Sequence, residues 1–145
     1  MDGNDALFDA LRQHVIKELP SYDHHSLAVT AYAFANAGQN EHILFSKLQQ
    51  ACLARLQGGF SPEDLTLVAG AFVMIPPGTI SDEEHRALFR GIGERCCSSG
   101  GLQGFSKGEL RRLGVALQRA EVEGLEGALE CVRVAELKAK EDRPN

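Results

Sequence analysis

Three stretches of the chain share one phrase, an aromatic residue followed five positions later by a leucine: Tyr22-Asp23-His24-His25-Ser26-Leu27, Phe60-Ser61-Pro62-Glu63-Asp64-Leu65 and Phe105-Ser106-Lys107-Gly108-Glu109-Leu110. An apolar residue just before an N-cap packs on the residue four into the helix, so this spacing predicts a hydrophobic staple at each helix start. Asp23, Ser61 and Ser106 are then the caps. Ser61 with Asp64 and Ser106 with Glu109 have capping-box spacing, and Pro62 stands in the first turn, where its missing N–H does no harm. Beyond each leucine the apolar positions recur at helical spacing, giving columns Leu27/Leu65/Leu110, Ala31/Ala69/Gly114 and Phe34/Phe72/Leu117. The small middle column lets neighbouring helices approach closely.

A second phrase alternates with the first: Ala6-Leu7-Phe8, Ile43-Leu44-Phe45, Ala87-Leu88-Phe89 and Ala128-Leu129-Glu130. In three copies Leu11, Leu48 or Ile92 follows one turn later; the last has Arg133 there, with Val132 beside it. Gly38, Gly58-Gly59, Pro76-Pro77-Gly78, Gly100-Gly101 and Gly124 read as helix stops. The pattern predicts seven helices, an orphan second helix over 5–19 and hairpin repeats over 22–58, 60–99 and 105–140, followed by a disordered tail over 141–145. The leading leucines lie 38 and 45 residues apart, within the roughly 20–50 residues of stacked helical repeats. We therefore expect one all-α domain over 1–145, an α-solenoid of stacked helical hairpins. A closed seven-helix bundle would satisfy the same periodicity, but the aligned staples and small-residue columns favour repetition. An array that opens on an unpaired second helix is either a piece of a longer solenoid or covered there by a partner.

Composition agrees with helix. The chain is 43 % hydrophobic, mostly Leu, Ala and Val, with only 6 % aromatic residues and no Trp. No run approaches the roughly 20 apolar residues that span a bilayer. The N-terminus, Met1-Asp2-Gly3-Asn4-Asp5, has neither the basic start of a secretory signal nor the Arg-rich character of a transit peptide. A soluble chain without membrane insertion or visible targeting peptide is expected. Cys52, Cys96, Cys97 and Cys131 sit within helical patterns and read as reduced thiols, Cys52 and Cys96 sharing a core column.

With these residues in view, the phrase Leu27-Ala28-Val29-Thr30-Ala31-Tyr32-Ala33-Phe34-Ala35, followed by a glycine and a Leu-Phe helix, resembles the octotricopeptide-like and RAP-associated helical repeats of organellar proteins of algae and related protists. The resemblance runs from the Tyr22 helix to the Glu109 helix and is strongest at Phe60–Leu65. It implies a mitochondrial or, alternatively, plastid protein that acts on RNA or in an organellar ribosome. The chain departs from that group in carrying no visible RAP domain, few repeats and a net charge of −5. Bulk attraction to phosphate is excluded by that charge, so RNA contact must come from a local basic patch.

The candidates for that patch are Arg111 and Arg112 first, with Lys107, Arg119, Arg90 and Arg95, and Arg86 nearby. The plainer reading pairs these arginines with Glu109, Glu94 or Glu121 as ordinary surface charges. His24 and His25 are adjacent, so they point about 100° apart and cannot converge on one metal ion. Gly91-Ile92-Gly93 lacks a preceding strand and a third glycine, and reads as close helix packing. No catalytic constellation converges, so a non-enzymatic protein without cofactor, metal or small-molecule substrate is expected. Two functions follow. One is an RNA–protein assembly component, of a mitoribosome or RNA-processing complex, that lays RNA, ribosomal RNA included, along these arginines; reversing Arg111 and Arg112 should then abolish RNA crosslinking. The other is a scaffold or accessory subunit docked on neighbouring proteins of a large organellar complex, indifferent to those reversals.

Overall fold

The computed structural model describes residues 3–139 and is all-helical. Seven α-helices lie among the described residues: α1 (Gly3–Glu18), α2 (His24–Asn36), α3 (His42–Ala54), α4 (Pro62–Met74), α5 (Asp82–Cys97), α6 (Lys107–Arg119) and α7 (Glu126–Lys138). A 3-10 turn, Leu19–Ser21, joins α1 to the first staple. The tail expected over 141–145, and Lys140 before it, lie outside the described residues.

The helices form two layers of a stack of hairpins. First helices pack on first helices, α2 on α4 and α4 on α6; second helices do likewise, α1 on α3, α3 on α5 and α5 on α7. Each unit covers the apolar stripe of the next, as a repeat array requires. Leu27, Leu65 and Leu110 are buried, as are Ala31, Ala69, Phe34, Phe72 and Leu117, while the smallest member of the middle column, Gly114, is partly exposed. Phe72 meets Phe45 edge to face, their ring centroids 5.8 Å apart. That geometry suits the aromatic quadrupole and ties the first-helix layer to the second.

Local sequence explains the helix starts. The side chains of Asp23, Ser61 and Ser106 accept hydrogen bonds from the backbone N–H of Ser26, Asp64 and Glu109. Ser106 and Glu109 complete a capping box, and so do Ser81 and Glu84 at the start of α5. The box expected for Ser61 is half-made. Asp64 does not turn back to its own cap but meets His25 of the preceding repeat, with Nδ1 and Oδ1 2.7 Å apart. A buried aspartate does better with a charge-assisted partner across the joint than with a strained return to its own helix.

Three further departures have physical reasons. Gly38, Gly78, Gly100 and Gly124 adopt left-handed φ angles after their helices, but Gly58 and Gly59 do not. A Cβ on Gly59 would stand 1.9 Å from the His24 ring, so Gly59 answers to packing, not to a left-handed cap. In α7 the buried pair is Ala128 and Val132, one residue earlier than alignment on Leu129 predicts. That shift turns Arg133, which would otherwise fall in the core column, out to solvent. At the other end, Leu7 is 55 % and Leu11 40 % exposed, although their counterparts Leu44, Leu88, Leu48 and Ile92 are fully buried. Nothing among the described residues stacks on that side of α1.

Candidate functional site

The arginines singled out in the sequence do not form one patch. Arg111 donates from Nε to Glu136 of α7 at 2.9 Å, beside a groove between α6 and α7 that Val115, Leu129 and Arg133 also line. Its partner is Glu136 and not Glu109, which lies two residues away, where helix side chains do not face each other, and which closes the Ser106 capping box. Arg112, next on the helix, is exposed on another side. Lys107 opens α6 in its first turn. Arg119, at the far end of α6, lines a cleft of about 310 Å³ with Ile80, His85 and Glu121. Arg86 and Arg90 line an adjoining cleft that shares Asp82, His85 and Glu121 with it. Among the described residues neither Arg112 nor Arg119 makes an ion pair.

Arg95 is turned to a different task. It donates to the backbone carbonyls of Phe60 at 2.7 Å and Leu56 at 3.2 Å, clamping the loop that feeds α4. Arg55 does the same one repeat earlier, donating to the Tyr22 carbonyl at 2.5 Å. Each clamp grips the staple aromatic of its own repeat, so a charged residue near the end of a second helix fixes where the first helix begins. The repeat columns hold no arginine signal, because Arg55 lies 11 residues past Leu44 and Arg95 only 7 past Leu88.

Histidines supply a second repeated device. His42 Nδ1 lies 2.7 Å from the Thr79 carbonyl and His85 Nε2 lies 2.7 Å from the Ala120 carbonyl. Each ring N–H donates from the start of a second helix to the connection that precedes the next second helix. His25 works alongside them in the first-helix layer; its hydrogen bond to Asp64, and then the Asp64 charge, raise its pKa above the ordinary value. Among the described residues no group of three or more His, Cys, Asp or Glu side chains is placed to hold a metal ion.

The outward surface of α2 and α4, past their first turns, is nearly uncharged. Exposed or half-buried Val29, Tyr32 and Ala33 of α2 adjoin Leu67, Gly70, Val73 and Met74 of α4, with Tyr32 against Gly70, and α6 adds exposed Val115. Neither α2 nor α4 contains a lysine or arginine. In the columns of the repeat, Arg112 follows Val29 and Leu67, and Arg119 follows Asn36 and Met74. The basic character of this face is thus confined to α6, at one border of an apolar surface.

Cys52 and Cys96 are buried, and burial pushes both thiols up to about 12. The glycines of Gly91-Ile92-Gly93 lie in the joints of α5: a Cβ at Gly91 would come 2.6 Å from Leu56, and one at Gly93 would come 3.2 Å from Leu125. No helix among the described residues is long and apolar enough to cross a membrane. No family model matches the chain, and neither a curated protein nor a solved structure does.

Proposed function

We propose that this chain is a non-catalytic helical-repeat component of an organellar RNA–protein assembly, of a mitochondrion or else a plastid, that packs on neighbouring protein and touches RNA along one border. The observation that carries the reading is the face made by α2, α4 and α6, where an apolar surface across two repeats meets Arg112 and Arg119 on the third, neither of them ion-paired among the described residues. Exposed apolar surface of this kind marks macromolecular contact. Guanidinium groups beside it suit phosphate recognition. The organellar setting rests on the resemblance of the repeat phrase.

Arg112 and Arg119 are better contacts than Arg111 and Arg95, whose guanidinium groups already serve Glu136 and two backbone carbonyls. A protein-only scaffold is the second reading, favoured by the lack of any Lys or Arg on α2 and α4. The test is purification of the tagged protein from its native cells with and without RNase, for the natural sequence, for Arg112→Glu with Arg119→Glu, and for Val29→Asp with Met74→Asp. The proposal expects RNA to be lost from the first variant and protein partners from the second. Retention of every partner after RNase, with no RNA enriched, would leave the scaffold reading alone standing.

A further inference from the structure

We propose that Cys97 and Cys131 form a redox modification site, a thiol pair at the joint of α5 and α7 that takes a small disulfide such as oxidised glutathione and closes to an intramolecular disulfide.

The two residues are 34 apart in the chain, yet their Sγ atoms lie 3.2 Å apart, within hydrogen-bonding distance. A covalent S–S bond is about 2.05 Å, so closure needs the sulfurs to approach by roughly 1.2 Å. The helices that carry the pair are already fixed on each other. Leu88 and Ile92 of α5, and Ala128 and Val132 of α7, are buried, and a Cβ at Gly93 would be 3.2 Å from Leu125 and 3.3 Å from Ala128.

The preceding joint places different residues at this spot. Leu53 lies nine residues after Leu44, as Cys97 lies nine after Leu88. Gly91 lies three after Leu88, and Cys131 three after Ala128, the residue that the shifted register puts in that column. A Leu53 methyl carbon comes 3.2 Å from where a Gly91 Cβ would be. Between α3 and α5 the position is therefore filled by a leucine against a glycine, and between α5 and α7 by a thiol against a thiol. Packing alone is satisfied by the first arrangement; only the second can be made covalent.

Access differs among the four cysteines in the way such a site needs. Cys52 and Cys96 are buried, Cys97 is exposed and Cys131 is half-covered. Both members of the pair stand at a shallow groove of about 780 Å³ that Leu102, Phe105, Val134 and Lys138 also line, leaving room for a small disulfide. A structural zinc site needs four donors. Among the described residues no third donor joins these two sulfurs.

Cys97 gives its proton to water and its thiolate attacks one sulfur of oxidised glutathione, whose S–S bond breaks and whose first glutathione leaves as a thiol. Cys131, deprotonated in turn, attacks the Cys97 sulfur of the mixed disulfide and the second glutathione leaves. Two protein thiols are oxidised by two electrons and one external disulfide becomes two thiols. The hydrogen bond with Cys131, and then partial burial, hold the Cys97 thiol above the ordinary range. Since the thiolate is the nucleophile, exchange is slow at neutral pH and accelerates as pH rises.

The test is to equilibrate the full chain with reduced or with oxidised glutathione, quench with acid, alkylate and digest with trypsin. The expected product joins the peptide of residues 96–107 to that of residues 120–133 in the monomer, and is missing from Cys97→Ser and from Cys131→Ser. The oxidised natural chain should also melt roughly 10 °C higher than the reduced one, a comparison that needs no variant. A link that persists in Cys97→Ser would assign the chemistry to Cys96. Covalent dimers, a stable glutathione adduct on Cys97, or four free thiols after oxidation would each overturn the proposal.

Discussion

Leu7, Leu44 and Leu88 occupy one column of the repeat, and truncating each to alanine should give two very different results. Leu44 and Leu88 are 0 % exposed, whereas Leu7 is 55 % exposed. In a closed core the change removes the transfer free energy of the lost atoms and leaves a cavity, about 3–5 kcal/mol in all. Full burial of a leucine side chain is worth about 1.5–3 kcal/mol. With less than half of Leu7 covered and no enclosed cavity behind it, Leu7→Ala should cost roughly 1 kcal/mol at most. The chain has no Trp, so the appropriate assay is urea unfolding followed by far-ultraviolet circular dichroism, with the slope checked for constancy across the three variants. The reasoning would be refuted if Leu7→Ala cost as much as Leu44→Ala, for then the column is covered at α1 as it is elsewhere. It would fail equally if Leu88→Ala cost under about 1 kcal/mol, since an enclosed cavity cannot be that cheap.

Other perturbations test the devices that join the repeats. Arg95→Met should destabilise the fold by about 1–3 kcal/mol in the same assay, because two carbonyls lose their donor; loss of no stability would show that the clamp does not hold the loop. The raised pKa of His25 means that its stabilisation is fully present below the unfolded value of 6.5 and is lost as pH climbs through the folded value. The melting temperature should therefore fall from about pH 6.5 upward, and less so in His25→Gln; equal slopes in both proteins would show that the Asp64 partnership does not contribute. At Gly101 a Cβ would stand 1.8 Å from the backbone oxygen of Arg95, so Gly101→Ala should displace the end of α5 and cost about 1–3 kcal/mol. Retained stability there, measured by thermal melting, would mean that the loop yields freely.

What could be read from the sequence was local. Staples, caps and apolar columns are written within one helix and its preceding turn, and Leu27, Leu65 and Leu110 lie in the core where their spacing put them. The capping box of Ser81 and Glu84 has the same local spacing, Ser81-Asp82-Glu83-Glu84, but no aromatic stands before it to mark the helix start, and it went unread in the sequence. Less visible was anything decided between repeats. Asp64 has a short carboxylate suited to its own cap, but a histidine 39 residues earlier lies within reach and wins it. The shift of α7 depends on which of Ala128 and Leu129 fits beside Gly93, a question of volume that periodicity does not pose. As to the candidate surface, arginine is informative only once its partner is known. Arg95 and Arg119 look alike in sequence, yet one holds backbone carbonyls and the other opens on a cleft.

The bonds that cross from one repeat to the next have nearly the same reach: His25 to Asp64 spans 39 residues, His42 to Thr79 spans 37 and His85 to Ala120 spans 35. Loop-closure entropy grows only with the logarithm of loop length, and here the length barely changes from step to step. Docking a third unit on a second is thus no harder than docking the second on the first. An array built this way can gain or lose a unit in evolution without raising the barrier to its own folding, because no contact ever has to be found at a greater distance along the chain.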